Sequence, residues 1–512
     1  MVLKVFWEVL SKIAGIIQRL WQKRAALNKK MRERYSPSLL ALIGMGICFV
    51  LSVIILFVPS YIGVANDSIG NLKMQEFGLS YRRSDTESVS QFNSNEYFIK
   101  SYEMTEKKRE FLSSQNVFVV LAKAMDSLFT RDNIFDVRFL ALVYLALYLP
   151  AVFLVLHSAL ERVSFFTEGV VLCVLGVLIF SDISYFAYFN SLYEDALVFI
   201  CLLYFAGAAL SLHKGRKWNI LSILIIAAAG VVLCLVEKRF FLAGMICAMF
   251  LFLQIRIFSR VDEKVVTVLL ACVLLGSSVF SIARCGEEFD DVSKVHSMTR
   301  GVLLQAQRPD DVLEKMGIDV SYSVLADSSL YDYYPASEIS NKLLQNGFLD
   351  KYSAQDVLLS YIRNPGALFS MWDIGIKAAF NLRRDYCSNY ERGAGMPAMG
   401  KSIFWSMWSI FKERSAPKTI GYLLLLVIAF SAMSGRKVFD RHSVKRWVYV
   451  YFWLMMSMVL IGIADLTYVI CKSGDAQLIQ FNITMGAVMD ILFYYVMAEI
   501  LHKLNILEET NE

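Results

Sequence analysis

Residues 38–58 read SLLALIGMGICFVLSVIILFV, an apolar run without a single charge. At about 1.5 Å of rise per residue such a run crosses roughly 30 Å of hydrocarbon as one α-helix. It leads directly into Val58-Pro-Ser-Tyr-Ile-Gly-Val-Ala-Asn-Asp-Ser-Ile-Gly-Asn-Leu-Lys-Met-Gln-Glu-Phe-Gly-Leu79. A span ending at Val58 sets Asp67 just outside the membrane, the height at which chemistry on a lipid phosphate needs a base.

The rest of the chain extends this reading. Of 512 residues 56% are hydrophobic and 13% aromatic, and the mean hydropathy of +0.49 lies well above that of soluble domains. The predicted fold class is therefore an all-α polytopic membrane protein. The formal net charge is only +5, and the Lys and Arg residues gather in particular loops, which speaks to topology and gives no reason to invoke nucleic acid. Leu3, Phe6, Leu10, Ile13, Ile17, Leu20 and Trp21 recur at helical spacing among charges. With the basic run behind them, they read as an interfacial amphipathic helix rather than a cleaved signal peptide. Cys48, Cys173, Cys201, Cys234, Cys247 and Cys272 lie in apolar runs and read as packing residues. Cys285, Cys387 and Cys471 fall on the expected outer side, without zinc-site spacing, and whether Cys285 and Cys387 are joined is left open.

About ten transmembrane helices are expected, over residues 38–58, 137–156, 169–185, 196–212, 218–236, 240–255, 265–282, 420–433, 447–466 and 486–500. With the basic amino terminus inside, Arg162, the 213–217 turn, Arg256, Arg260, Lys264, the 436–446 cations and Lys503 all fall inside too. Both termini are then cytoplasmic, in an inner (plasma) membrane. The expected organisation is a basic amphipathic segment (1–36), a transmembrane module (37–283) with a long first outer loop (59–136), a small helical outer domain (284–417), and carboxy-terminal spans with a cytoplasmic tail (418–512). Segments as long as the two outer ones usually fold or carry function. In the first, Val117, Phe118, Leu121, Met125 and Leu128 mark one face of a helix lying on the membrane or on the spans. In the second, helical patterns cover 311–316, 354–363 and 367–382.

Polar residues on the outer side define the candidate site. Asp67 is either a turn residue or a general base. The turn from Ser181 to Asp195 interleaves aromatics with Asp182, Asn190, Glu194 and Asp195, and paired acids at the start of an apolar span need partners. A carboxylate at the mouth of a span, as Asp67 is, can also bind a divalent cation such as Mg or Mn. Glu237, Lys238 and Arg239 fill one outer turn; they either pair internally or bind phosphate. Asp465, Lys472 and Asp475 flank the last outer turn, and an intramembrane Asp490 demands a partner. Arg383, Arg384 and Arg392 reach anionic groups or, as the better expectation, line a solvated face. No P-loop, no Asp-x-Asp pair and no Gly-rich strand-to-helix turn occurs, which leaves a cytoplasmic nucleotide-sugar site poorly supported.

These motifs together resemble the GT-C superfamily of multi-pass glycosyltransferases, and most closely the bacterial glycan-biosynthesis hexosyltransferases. The resemblance rests on the Asp67 stretch with Phe77-Gly-Leu79, on Tyr188-Phe-Asn-Ser-Leu-Tyr-Glu-Asp195, and on the turn at Lys238. It also rests on Pro309-Asp-Asp-Val-Leu-Glu-Lys-Met-Gly317, Asn364-Pro365, Arg383-Arg-Asp-Tyr386 and Gly474-Asp-Ala-Gln-Leu-Ile-Gln-Phe-Asn482. It implies transfer of a sugar from a polyprenyl-phosphate donor to a glycan or lipid acceptor outside the membrane, in surface polysaccharide synthesis. It further implies Asp67 as base, Glu194 and Asp195 as acceptor or metal support, and Lys238 with Arg239 on the donor phosphate. The chain departs from that pattern in three places. Ile69 and Gly70 stand where a second acid is expected, Arg239-Phe240 where Pro-Gln is expected, and Ala476-Gln477 where Lys-His is expected. The competing expectations are a transporter or flippase for a lipid-linked glycan and a non-catalytic scaffold.

Overall fold

The computed structural model describes residues 28, 36–65, 73–74, 76–81, 91–99, 113–130, 132–163, 165–212, 218–283, 291–329, 342–384, 386–438, 445–478 and 481–509. The first span, α1 (Pro37–Phe57), opens where its composition dictates. Ser36 accepts the Leu39 amide and Pro37 occupies the first turn, where its missing N–H costs nothing. After it come β1 (Ile62–Val64), β2 (Leu79–Tyr81), β3 (Glu96–Ile99), α2 (Gln115–Phe129) and β4 (Ile134–Asp136). The helices α3 (Val137–Leu160), α4 (Phe166–Phe180), α5 (Asp195–Leu210), α6 (Asn219–Val236), α7 (Phe241–Gln254) and α8 (Val261–Ala283) then run back and forth. A second irregular region holds α9 (Asp291–Ser297), α10 (Pro309–Lys315), α11 (Lys342–Gly347), α12 (Ala354–Arg363), α13 (Pro365–Ala379), β5 (Cys387–Tyr390) and α14 (Met407–Ser415). Three long helices close the chain: α15 (Ile420–Val438), α16 (Arg446–Ser473) and α17 (Ile483–Glu509).

Contacts at the helix ends fix the alternation. At one end Ser38 meets His157, Asn219 meets Glu263, and Glu499 takes both Arg162 and Trp447. At the other, Asn190 reaches the carbonyls of Leu56 and Ile62, Ser281 reaches Cys234, and Arg239 reaches Asp465. That second end carries both long irregular regions and is the loop-rich end. Arg162, Arg256, Arg260, Lys264, Lys445, Arg446 and Lys503 all sit away from it.

The protein is an all-α polytopic membrane protein, with fewer full-length spans than the apolar runs suggest. Among the described residues eight helices are long and apolar enough to cross a membrane. The other two expected spans differ for physical reasons. Helix α5 has only 16 residues, and all but Tyr204 are buried, so its neighbours α3, α6, α16 and α17 shield it from lipid. Helix α15 is joined to α14 through a 110° bend, and exposed Ile403, Phe404, Met407 and Phe411 give the α14 region an apolar outer face. The two extended ladders were not expected. β2, β3 and β4 form one antiparallel sheet, while β1 pairs antiparallel with β5 (Ile62 with Tyr390, Gly63 with Asn389, Val64 with Cys387). Gly78 stands at φ +65° on the approach to β2, a conformation open to glycine at no cost. Helix α2 forms over the expected stretch, but its fully buried face is Gln115, Val119, Ala122 and Asp126, so the expected apolar face is split. Phe118 and Met125 pack inward, whereas Val117, Leu121 and Leu128 remain exposed.

Candidate functional site

The loop-rich end gathers charge that is almost wholly buried. Glu194 and Asp195 sit at the start of α5, held there because the preceding aromatic turn is itself core: Tyr185, Phe186, Tyr188 and Phe189 are all buried. From the α6–α7 turn Arg239 enters the same space at 3% exposure. Its Nε donates to Glu237 at 2.7 Å, one terminal nitrogen to Glu194 at 3.4 Å, and the other to Asp465 at 3.4 Å and to the Phe481 carbonyl at 3.4 Å. The guanidinium also lies 4.5 Å from the ring centroid of Phe240 and 4.7 Å from that of Phe481, a favourable placement for a desolvated cation.

Two more cations complete the set. Lys73 approaches Glu194 at 3.2 Å, and Arg384 approaches Asp195 at 3.0 Å while lying over the Tyr188 ring. Lys73, Arg239 and Arg384 thus meet Glu194, Asp195, Glu237 and Asp465, so acids outnumber cations by one within this set. Burial alone pushes Glu194 up, but Lys73 and Arg239 beside it hold its carboxyl well below the usual range. Burial likewise pulls Lys73 down, and the surrounding Glu194, Glu237 and Glu76 more than reverse it. Glu237 goes the other way: burial and the Glu194 charge push it up to about 7, against the pull of Arg239 and Lys73.

That shift fixes a pH dependence with a definite sign. An acid whose pKa rises on folding contributes stability below its unfolded pKa and loses it as pH climbs through the folded value. The wild type is therefore expected to lose melting temperature between pH 5 and pH 8, and Glu237→Gln to lose less over the same interval. Thermal unfolding in detergent at both pH values checks this, and equal losses would remove Glu237 as the titrating group.

The described residues named from the sequence each have a definite place. Asp67 and Cys285 lie outside the described residues, as does the amphipathic stretch 1–27. The chain on either side of Asp67 is fixed at the site: Ala65 donates its amide to the Tyr386 carbonyl at 2.9 Å, and Lys73 pairs with Glu194. Asn190 is fully buried and its amide ties the end of α1 to β1, a structural duty. Arg239 shows the internal pair with Glu237 and, beyond it, two further carboxylates, so its donors are committed within the protein. Arg383 and Arg384 do not line a solvated face; both are buried at 8% exposure, because β5 draws their segment against the core. Arg392 is exposed. Asp475 receives Arg300 in a two-pronged bridge at 2.7 and 2.8 Å, whereas Lys472 lines a narrow cleft with Glu237, Arg239, Gln477 and Phe481. Cys387 is a free, buried thiol. Among the described residues no group of three His, Cys, Asp or Glu side chains is arranged to hold a metal ion.

Sequence reasoning passed over Lys73, Arg300 and Lys412. The demand it placed on Asp490 is met, since that carboxylate accepts from Lys412 at 2.7 Å, Tyr185 at 2.6 Å and Trp408 at 2.9 Å.

A helical membrane protein with a buried ionic network at one end of its spans is the class that fold and site define. The sequence profile of the YfdI N-terminal transmembrane domain matches residues 22–512, and the chain belongs to that family. Comparison with curated proteins and with solved structures returned no match.

Proposed function

We propose that this protein is a GT-C type glycosyltransferase. It moves a sugar from a polyprenyl-phosphate donor to a glycan or lipid acceptor on the outer face of the plasma membrane, in bacterial surface polysaccharide synthesis. One observation carries the reading: the ionic network and an apolar cavity within the spans both border the start of α5. That cavity, about 490 Å³, is lined by Phe118, Leu147, Leu197, Ile200, Ile225 and Val232 among others. Leu197 follows Asp195 by two residues on α5, so the cavity reaches the height of the charged end from the opposite face of that helix, and a chain of isoprene units seated there would pass its phosphate around the start of α5. Arg162, Arg256, Arg260, Lys264, Lys445, Arg446 and Lys503, at the opposite ends of the helices, support those ends as cytoplasmic and the network end as outer.

In the reaction Asp67 takes the proton of an acceptor hydroxyl. The acceptor oxygen bonds to the anomeric carbon as the bond from that carbon to the phosphate oxygen breaks, and the electron pair leaves with the polyprenyl phosphate. Lys238 contacts that phosphate, while Arg239, whose donors are taken up by three carboxylates and a carbonyl, positions the turn that carries Lys238. A divalent cation such as Mg or Mn would supply charge to the departing phosphate, and it would be held by Asp67 with Asp195 or Glu194 only in place of Arg384, or of Lys73 and Arg239, on those carboxylates.

Transfer of radiolabelled sugar from a panel of polyprenyl-phosphate sugars, with and without divalent cation, tests the reading. Asp67→Asn is expected to lower transfer about 100-fold or more, and Lys238→Ala to raise the donor KM more than it lowers kcat. A transport reading draws on the bent α14–α15 pair beside the buried Lys412–Asp490 bridge, a combination of broken helix and intramembrane charge that transporters use. Wild type that binds the lipid donor and transfers nothing would overturn catalysis in favour of the flippase or non-catalytic scaffold reading.

A further inference from the structure

A second cavity, about 890 Å³, lies in the helical region at the loop-rich end and belongs to none of the machinery above. Two stretches fifty residues apart, Pro309–Lys315 and the Asn364-Pro365 elbow between α12 and α13, contribute to one wall each. The lining is polar. Gln305, Gln307 and Asn364 offer amides, and Ser360 and Ser370 offer hydroxyls. Tyr361 also lines it; this residue is 1% exposed, and its hydroxyl has no hydrogen-bond partner. Arg308, Lys315 and Arg363 stand against a single acid, Asp311.

The last turn of the loop-rich end is the wall between the cavity and the cleft beside the ionic network. Gly474 stands at φ +58°, and a Cβ there would come within 2.5 Å of the Arg300 carbonyl oxygen. On the cavity side, a Cβ on Gly301 would come within 2.9 Å of the Tyr361 hydroxyl and 3.3 Å of the Gly474 Cα. Arg300 clamps Asp475 on the same turn. The opposite side of that turn, through Lys472, Ser473 and Gln477, borders the cleft beside Arg239. A long ligand in the cavity therefore lies one turn of backbone away from the site.

We propose that this cavity is the acceptor subsite and that it takes an oligosaccharide bearing carboxylate groups. Amides and hydroxyls pair with sugar hydroxyls, and guanidinium groups recognise carboxylates through two parallel hydrogen bonds. The excess of cations selects an acidic glycan over a neutral one of equal length. The word acceptor rests on the transfer reading; binding itself does not.

The full-length protein in nanodiscs is titrated with a galacturonate tetrasaccharide and with a neutral galactose tetrasaccharide. Wild type is expected to bind the acidic chain at least tenfold more tightly. The double variant Arg308→Gln/Arg363→Gln, altered only at exposed positions, is expected to lose that preference while keeping the wild-type melting temperature. Equal affinity of wild type for the two chains, or an unchanged preference in the double variant, overturns the proposal. Selective binding that the double variant loses, in a protein that transfers no sugar, would sink the transfer reading and leave the subsite standing.

Discussion

Arg239→Ala is expected to collapse the ionic network and with it most of the stability of the loop-rich end. The guanidinium is shared by Glu194, Glu237 and Asp465, and Glu194 and Asp465 are as buried as the arginine itself. Deleting the cation leaves those carboxylates short of a counter-charge, with Lys73 still paired to Glu194 alone among the described ion pairs. Breaking a buried ionic contact from one side costs about 3–5 kcal/mol, a large part of the roughly 5–15 kcal/mol that holds a typical domain folded. Arg239→Lys should lose less than alanine but still fall short of wild type, because one ammonium cannot replace a planar fork that serves three carboxylates in different directions. Adding Glu194→Gln to Arg239→Ala should recover part of the loss, a coupling that separates repulsion among the acids from simple loss of packing. Melting curves in detergent decide the matter: an alanine variant melting within a degree or two of wild type would show that the network bears no such load.

Lys412→Ala is expected to have an effect of similar size by a different route. Asp490 lies on α17 inside the spans, and Lys412 enters from the bent α14 to neutralise it while also donating to the Gly486 carbonyl at 3.2 Å. Tyr185 and Trp408 give Asp490 hydrogen bonds but no charge. The variant leaves an anion in an apolar layer, at about 3–5 kcal/mol, and α14 loses its only ionic anchor among the described residues. Limited proteolysis near residues 415–420 should rise in parallel with the fall in melting temperature. The paired replacement Lys412→Met/Asp490→Asn should restore most of both, since it leaves no buried charge and keeps an acceptor for Tyr185 and Trp408; failure of that pair to recover would mean the bridge supplies geometry beyond neutrality.

The legible parts of the fold are those whose signal is local. Apolar length alone located α1, α3, α6 and α8, because each residue of a span carries the same message. α12 was legible from its pattern and from Ser353 and Asp356, which make a reciprocal cap at its start. The β1–β5 pairing was not, since three or four residues hold no period to read. The site divides the same way. Glu194 and Asp195 stood out because acids at the mouth of an apolar helix are costly alone. Their partners lie far off in the chain, with Arg239 45 residues from Glu194 and Arg384 189 residues from Asp195. A usable signal did exist: buried acids require cations, and Lys73, Arg239 and Arg384 were all in motifs already quoted. Lys412, a cation that directly follows Phe411 and stands four residues after Trp408, just ahead of a span, carried the matching hint for Asp490.

The ladder between residues 62–64 and 387–390 also bears on when the protein can become competent. A growing chain emerges from its amino terminus, so the loop that follows α1 waits outside the membrane while more than three hundred further residues are made and inserted. Only when the strand at 387–390 arrives can that loop be clasped, and the entropy of closing so long a circuit is met late. Arg384 comes with the same strand, so Asp195 gains its counter-charge at that same late moment. Partial chains in the membrane would thus carry the acids of the network without its final shape. Assembly itself acts as a safeguard, withholding a finished pocket until nearly the whole polypeptide is in place.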